Sequence, residues 1–183
     1  MKSLKGQILL HDGWFHGTIF FDQRIRRLES CQPVEGMPRI IPGFIDLHVH
    51  GGNGADAMEG EEAILKMSRW HAQHGTSSLL ATTISAEPKE LKRCLLDIEK
   101  VHRLPKPNGA RVLGCHLEGP YINLGKKGAH PEITLSRSHL EQLYDLCESR
   151  VVRIITLAPE TFHDGSIVQN LTERGIRVQI GHS

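Results

Sequence analysis

After Pro42 the sequence alternates between short apolar segments and longer segments with helical periodicity, and no other feature limits the possible folds as strongly. Five apolar segments are interpreted as strands, and their sequences are GFIDLHV, TSSLLATTIS, ARVLGCHLEG, RVVRIITLAP and IRVQIGHS. Strands that alternate with helices favour a parallel sheet covered by helices on its outside. The pattern therefore predicts an α/β fold, either a doubly wound open sheet or the start of a (β/α)8 barrel.

The segments between these strands have the end signals of helices. Gly75 stops the first helical pattern, Pro88 stands near the start of the second, where its missing N–H costs little, and Ser136 is suited to cap the third. The predicted helices cover residues 61–74, 87–104, 136–149 and 164–174.

The first 42 residues have a different pattern. The segment GQILLHDGWFHGTIFFDQRIRRLES alternates short apolar runs with turn-forming Asp-Gly and His-Gly pairs, which predicts two or three short strands. The following PVEGMPRIIP is punctuated by proline and glycine and is interpreted as a connector. We therefore divide the chain into residues 1–42 and residues 43–183.

Charge and hydropathy argue against several classes of partner. The 183 residues have a formal net charge of +1 and no long charged run, so we expect neither nucleic acid nor a membrane as a partner. The apolar runs are far shorter than a membrane span, and the N-terminus lacks the apolar core of a signal peptide, which predicts a cytoplasmic location. The glycine-rich phosphate-binding motifs of nucleotide-binding sheets are absent from the sequence.

The first strand of the barrel-like series ends in two histidines, His48 and His50. Side chains alternate between the faces of a strand, so these two imidazoles and Asp46 point in the same direction. In a barrel strand that face is the interior, and active sites lie at the carboxyl ends of the strands. Two imidazoles aimed at one point are typical of a metal site. The alternative is a pair of polar residues at a partly exposed end of an otherwise buried strand.

Two further candidate ligands lie at the ends of other strands. Glu118 ends the third strand, where a buried charge needs a partner, either a metal cation or an arginine or lysine side chain. His182 follows the fifth strand, after a glycine that lets the backbone turn. Imidazole and carboxylate ligands together suit Zn, Fe, Mn or Ni better than Ca or Mg. His116 shares the parity of Glu118 but lies deeper, and we expect it to be a hydrogen-bonded group of the interior.

The long loop after the third strand is the candidate substrate-binding segment. Loops longer than about 12 residues in compact domains are often functional, and this one contains Ala129 and His130. Contact between a substrate and these two residues is one interpretation, and a surface histidine is the other. Seven more histidines have no converging partner in the sequence pattern and are interpreted as structural or exposed: His11, His16, His71, His74, His102, His139 and His163.

Together these motifs resemble the amidohydrolase superfamily, and within it the N-acetylglucosamine-6-phosphate and N-acetylgalactosamine-6-phosphate deacetylases. The similarity extends from about Gln7 to Ser183 and rests on PGFIDLHVHGG, HLEGPYINLGKKGAHPE, TLAPE and IGHS. The first motif is shared by many amidohydrolases, whereas LEGP followed by KGAH is much narrower.

The resemblance implies a (β/α)8 TIM barrel of the metal-dependent hydrolase type and a small β-sandwich domain built from both chain ends. Residues 43–183 would supply only about the first five β/α units of the barrel, and residues 1–42 the N-terminal part of the sandwich. We therefore expect the chain to be the N-terminal portion of a longer polypeptide that is dimeric when complete, and we do not expect the chain alone to be a stable, active monomer. The alternative is that partner copies of this chain cover the exposed surface.

The resemblance also implies roles for the candidate site residues. By motif, Glu118 and His182 match metal ligands of the deacetylases, and the His48–His50 pair matches one that supports a second ion in some members. Ala129 and His130 match the loop that contacts the sugar. The proton-transfer aspartate of the family is expected beyond Ser183, so no catalytic residue is assigned within this chain.

The implied reaction is hydrolysis of the acetamido group of an amino sugar 6-phosphate to acetate and the free amine, a step of amino sugar catabolism. One or two divalent ions (Zn, Fe, Mn or Ni) would lower the pKa of water toward about 7 and polarise the acetyl carbonyl.

The fourth strand departs from the pattern of many other amidohydrolases, which carry a carboxylated lysine there. The segment RIITLAPE has no lysine, which disfavours a dihydroorotase-like enzyme and fits a bridging role for Glu118. Two further hypotheses stay open: an amidohydrolase that acts on a cyclic amide or another N-acyl compound, and a truncated remnant that binds metal or self-associates without turnover.

Overall fold

The computed structural model describes residues 1–105, 108–133, 139–162 and 165–183. The chain divides into two compact units, Met1–Gly43 and Phe44–Ser183. The predicted helix cap Ser136 and the predicted helix start at residue 164 lie outside the described residues, as does His163.

The first unit is a four-stranded sheet. Its strands are β1 (Lys2–Leu10), β2 (Gly13–Phe21), β3 (Ile25–Ser30) and β4 (Arg39–Ile40), in the order β3-β2-β1-β4. The first two form an antiparallel hairpin that turns at His11 and Asp12, and Ile8 and Ile19 are buried on it. The connector predicted before Pro42 is partly wrong, because it contains β4, which pairs in parallel with β1 through Ile40 and Ile8.

The second unit is a curled parallel sheet in which helices connect consecutive strands along the chain. The strands are β5 (Phe44–Val49), β6 (Thr76–Thr82), β7 (Arg111–Glu118), β8 (Val152–Leu157) and β9 (Arg177–Ile180). The helices are α1 (Glu61–Gln73), α2 (Pro88–His102), α3 (His139–Cys147) and α4 (Ile167–Glu173). The strands lie side by side in sequence order, without the reversal of strand order that a doubly wound sheet requires. The arrangement is that of the first five strands of a (β/α)8 barrel.

The core of this unit lies between the sheet and the helices. Strand residues such as Leu79, Leu117 and Ile155 are fully buried there. Helix residues with the same burial pack against them, including Ile64, Leu91, Leu143 and Leu171. Since strands covered on both sides carry long apolar runs, the dense apolar sequences of β6, β7 and β8 follow from this packing. Among the described residues, no helix has both the length and the hydropathy needed to span a bilayer.

In this chain GFIDLHV is an exposed strand and not the buried one that its apolar sequence predicts. Phe44 and Ile45 are 59% and 62% exposed, and Leu47 is also exposed. The reason is the position of β5 at one edge of the described sheet, where its only strand neighbour is β6. An apolar strand sequence indicates the sheet but does not tell which strand lies at its edge.

A matched pair of substitutions on α2 tests the assignment of the core. Leu95 is 3% exposed and its neighbour Leu96 is 59% exposed. We expect Leu95→Ala to lower the free energy of unfolding by about 2–5 kcal/mol, because it removes buried methyl groups and leaves a cavity. Leu96→Ala, the control, should change it by less than about 0.5 kcal/mol. Urea unfolding followed by circular dichroism measures both, and equal losses would contradict the orientation of α2.

Candidate metal centre

A single buried carboxylate, that of Glu118 at the end of β7, lies at the centre of a group of histidines. The residue is 5% exposed. Its Oε2 atom lies 3.0 Å from Nε2 of His50 and 3.4 Å from Nε2 of His48. The two histidine Nε2 atoms are 3.2 Å apart, so the imidazoles at the end of β5 converge as the i, i+2 spacing predicts.

Two further imidazoles approach the same carboxylate from other segments. Nε2 of His182, just after β9, lies 3.3 Å from Oε1 of Glu118, and Nε2 of His130 lies 3.3 Å from Oε2. The described ion pairs of Glu118 are all with imidazoles, so the alternative of an arginine or lysine partner is not realised within the described residues. Ala129 is exposed in the turn that leads to His130.

The position of His182 is fixed by the loop after β7. Its Nδ1–H donates to the carbonyl of Lys126 at 2.9 Å, and its own carbonyl accepts the N–H of Asn123 at 2.9 Å. The backbone of His182 has a φ of 54°, a left-handed conformation that is uncommon for a residue other than glycine. These contacts aim Nε2 of His182 at the carboxylate.

The electrostatics of the cluster keep Glu118 ionised. Burial opposes ionisation and is the largest single influence, but the hydrogen bond from His50 and the fields of His48 and His130 together outweigh it and set the pKa of Glu118 at about 2. The hydrogen bond to Glu118 in turn raises the pKa of His50. Burial lowers the pKa of His130. An anionic carboxylate therefore faces imidazoles of different basicity.

Hydroxyl groups at and just after the end of β6 hold three parts of the site, although no sequence motif marks them. Oγ1 of Thr82 accepts the N–H of Val49, the residue between the two β5 histidines, at 2.8 Å. Oγ1 of Thr83 accepts the N–H of Glu118 at 3.1 Å. Ser85 contacts His130 through both its N–H and its hydroxyl. The available signal was a run of hydroxyl residues at the end of an apolar strand.

His116 lies beneath the cluster and is fully buried, as expected for an interior group. Its Nδ1–H donates to the carbonyl of Leu47 at 3.0 Å, and its Nε2 accepts from the hydroxyl of Thr156 at 2.7 Å. Its ring meets that of His48 edge to face, with 4.6 Å between centroids. Burial lowers the pKa of His116 and favours the neutral ring. Since both of its nitrogens are engaged, this histidine supports the cluster and has no free ligand atom.

The potential ligand atoms of the cluster suit a divalent transition-metal ion or zinc. Two groups have their potential ligand atoms within 4.8 Å of one another, one made of His48, His50 and Glu118 and the other of Glu118, His130 and His182. Converging imidazole nitrogens and a buried, ionised carboxylate attract such a cation. The hydrogen bond from His182 to a backbone carbonyl is the support that metal-binding histidines usually have.

The pKa of Glu118 predicts how stability depends on pH in metal-free protein. A carboxylate whose pKa falls from 4.5 to about 2 on folding contributes stability above pH 4.5 and loses it as the pH falls toward 2. We therefore expect the free energy of unfolding of the wild type, relative to that of Glu118→Gln, to decrease as the pH falls through this window. Urea unfolding with a chelator, from about pH 5 to about pH 3, measures the difference.

The control for this prediction is Glu62→Gln, which changes an exposed carboxylate on α1. A difference between wild type and Glu118→Gln that stays constant over the window would contradict the strongly lowered pKa of Glu118.

Comparison with known proteins places this chain in a family. Residues 39–173 match the Amidohydrolase family. The chain is 34% identical to N-acetylglucosamine-6-phosphate deacetylase of Mus musculus and 33% identical to N-acetylgalactosamine-6-phosphate deacetylase of Escherichia coli O157:H7, over 97% of its length in both cases. It covers 46% and 49% of those two proteins.

The crystal structure of N-acetylglucosamine-6-phosphate deacetylase from Thermotoga maritima has the same fold. It superposes on the whole chain with a TM-score of 0.79 and 31% sequence identity, and the chain covers 49% of it. The chain thus spans about half the length of the relatives it matches. The sequence match and the similarity of the fold agree, and the chain belongs to the amidohydrolase family.

Proposed function

We propose that this chain is the metal-binding part of a hydrolase that removes the acetyl group from an N-acetylated amino sugar 6-phosphate. The observation that carries the proposal is the buried Glu118 carboxylate with four imidazoles at 3.0–3.4 Å. Family membership supports a metal-dependent hydrolase, and the names of the relatives support the substrate class. The absence of a lysine from β8 supports Glu118 as the shared carboxylate ligand.

The proposed ligands are Glu118, His182, His48 and His50. The two oxygens of Glu118 face different histidines, Oε2 the β5 pair and Oε1 His182, which suits either one ion or two ions that share the carboxylate. Zn, Fe, Mn and Ni all suit these ligands. When bound, such an ion lowers the pKa of water and polarises an acyl carbonyl.

The chain's own residues would orient the sugar next to this centre. His130 is buried beside Glu118, and Ala129 is exposed next to it, so the loop after β7 presents one imidazole and one accessible backbone segment. We propose these two residues as substrate contacts. The aspartate for proton transfer, a dimeric assembly and a cytoplasmic location stay predictions from the sequence.

The activity is tested by release of acetate from N-acetylglucosamine 6-phosphate. We expect the protein, supplied with Zn, Fe(II), Mn or Ni and with its full coding sequence, to hydrolyse this compound and to lose activity after chelation. N-acetylgalactosamine 6-phosphate is assayed in parallel, because one relative carries that name. Hydrolysis only of dihydropyrimidines or N-acyl amino acids would contradict the proposal, and so would metal binding without any turnover.

The ligand assignment is tested on the 183-residue chain by its affinity for zinc, measured by dialysis and elemental analysis. We expect Glu118→Gln and His182→Asn to weaken binding at least about 10-fold, because the first removes the negative charge and one of two oxygens and the second removes an imidazole nitrogen. His74→Gln is the matched control, since this histidine bonds the Trp70 carbonyl on α1, away from the cluster. Unchanged affinity in both ligand variants would contradict the assignment.

A further inference from the structure

Both ring nitrogens of His130 have hydrogen-bond partners, and the partner of one nitrogen differs in its donor or acceptor role from the partner of the other. The residue is 4% exposed. Nδ1 lies 3.1 Å from the backbone nitrogen of Ser85 and 2.7 Å from the Ser85 Oγ, while Nε2 lies 3.3 Å from Oε2 of Glu118. A backbone N–H can only donate a hydrogen bond, and an ionised carboxylate can only accept one. The two sides of the ring are therefore not interchangeable.

These partners select one tautomer of the neutral ring. Because the Ser85 N–H donates to Nδ1, that nitrogen has to present its lone pair. The ring proton then lies on Nε2, where the Glu118 carboxylate accepts it. The other tautomer would set an Nδ1–H against the Ser85 N–H and a lone pair against a carboxylate.

His182 has the opposite arrangement, although its ring centroid is only 4.8 Å from that of His130. Its Nδ1–H donates to the Lys126 carbonyl, which leaves a lone pair on Nε2 facing Oε1 of Glu118, an arrangement that a cation bound between the two atoms would satisfy. Both histidines are near enough to Glu118 to share a cation with it. Their hydrogen bonds separate them into one ring that can ligate a metal and one that can only donate.

We propose that Ser85 is a positioning residue that fixes His130 as the Nε2–H tautomer, so that this ring offers the site a hydrogen-bond donor and no lone pair for a metal. The inference rests on the proposed function, because the donor would serve an oxygen of the bound substrate. Gly119 leaves room for the pair, since a Cβ there would lie 2.1 Å from Oγ of Ser85 and 3.1 Å from Nδ1 of His130.

The test is a long-range proton–nitrogen NMR correlation on the chain labelled with ¹⁵N-histidine, in which the two neutral tautomers give different patterns. The signals of His130 are assigned by their loss in His130→Gln. We expect the Nε2–H pattern in the wild type, with and without zinc. In Ser85→Ala, which removes the hydroxyl and keeps the N–H, the Nδ1 resonance should move toward the position of a less hydrogen-bonded nitrogen. Ser85→Thr should restore it.

Zinc affinity supplies a second measurement that does not depend on turnover. We expect Ser85→Ala, which leaves every proposed ligand and its direct hydrogen-bond partner in place, to weaken it less than His182→Asn, which removes a ligand and should cost at least about 10-fold. An Nδ1–H pattern in the wild type, a zinc-ligand signature on His130, or an unchanged Nδ1 resonance in Ser85→Ala would overturn the inference. A failure to release acetate would reject the proposed function alone, because neither measurement requires hydrolysis.

Discussion

The buried negative charge of Glu118 is the constraint on which the rest of the site depends. A carboxylate this deep in a sheet is costly unless positive or hydrogen-bond-donating groups surround it. The imidazoles after β5 and in the loop after β7 meet that requirement from two separate segments. The lowered pKa of the carboxylate shows that they outweigh the cost of burial. The same arrangement that satisfies the charge in the free protein presents it to a cation.

The end of β6 connects these segments without contributing a candidate ligand. Each of three hydroxyl residues there forms a hydrogen bond with a different part of the site. Thr82 bonds the β5 backbone, Thr83 bonds the Glu118 backbone, and Ser85 bonds the His130 ring. The β-branched side chains of Thr82 and Thr83 have few rotamers and little freedom to move. They therefore set the spacing between the strands at the carboxyl end of the sheet, where the chemistry of this fold is located.

Individual helices and strands differ in how well their position and burial could be predicted from the sequence. The helical periodicity predicted α1 and α2 to within a residue or two, since amphipathic patterns depend on local spacing. β4 was missed, because a two-residue strand exists only through its pairing with β1. The burial of β5 was misjudged for a related reason, since an edge strand and a central strand can have the same apolar sequence. Thr82 and Ser85 gave no recognisable motif, because their partners lie 33 and 45 residues away.

The sequence by itself determined the α/β rhythm, the common direction of His48 and His50, and the identity of the acidic residue at the end of β7, because each follows from a local repeat or a short motif. Only the tertiary structure decided that His48, His50, His130 and His182 all meet around the Glu118 carboxylate, at 3.0–3.4 Å. It also decided which nitrogen of each ring faces the carboxylate. The tautomer of a histidine depends on the donors and acceptors around it, and those come from segments that only folding brings together.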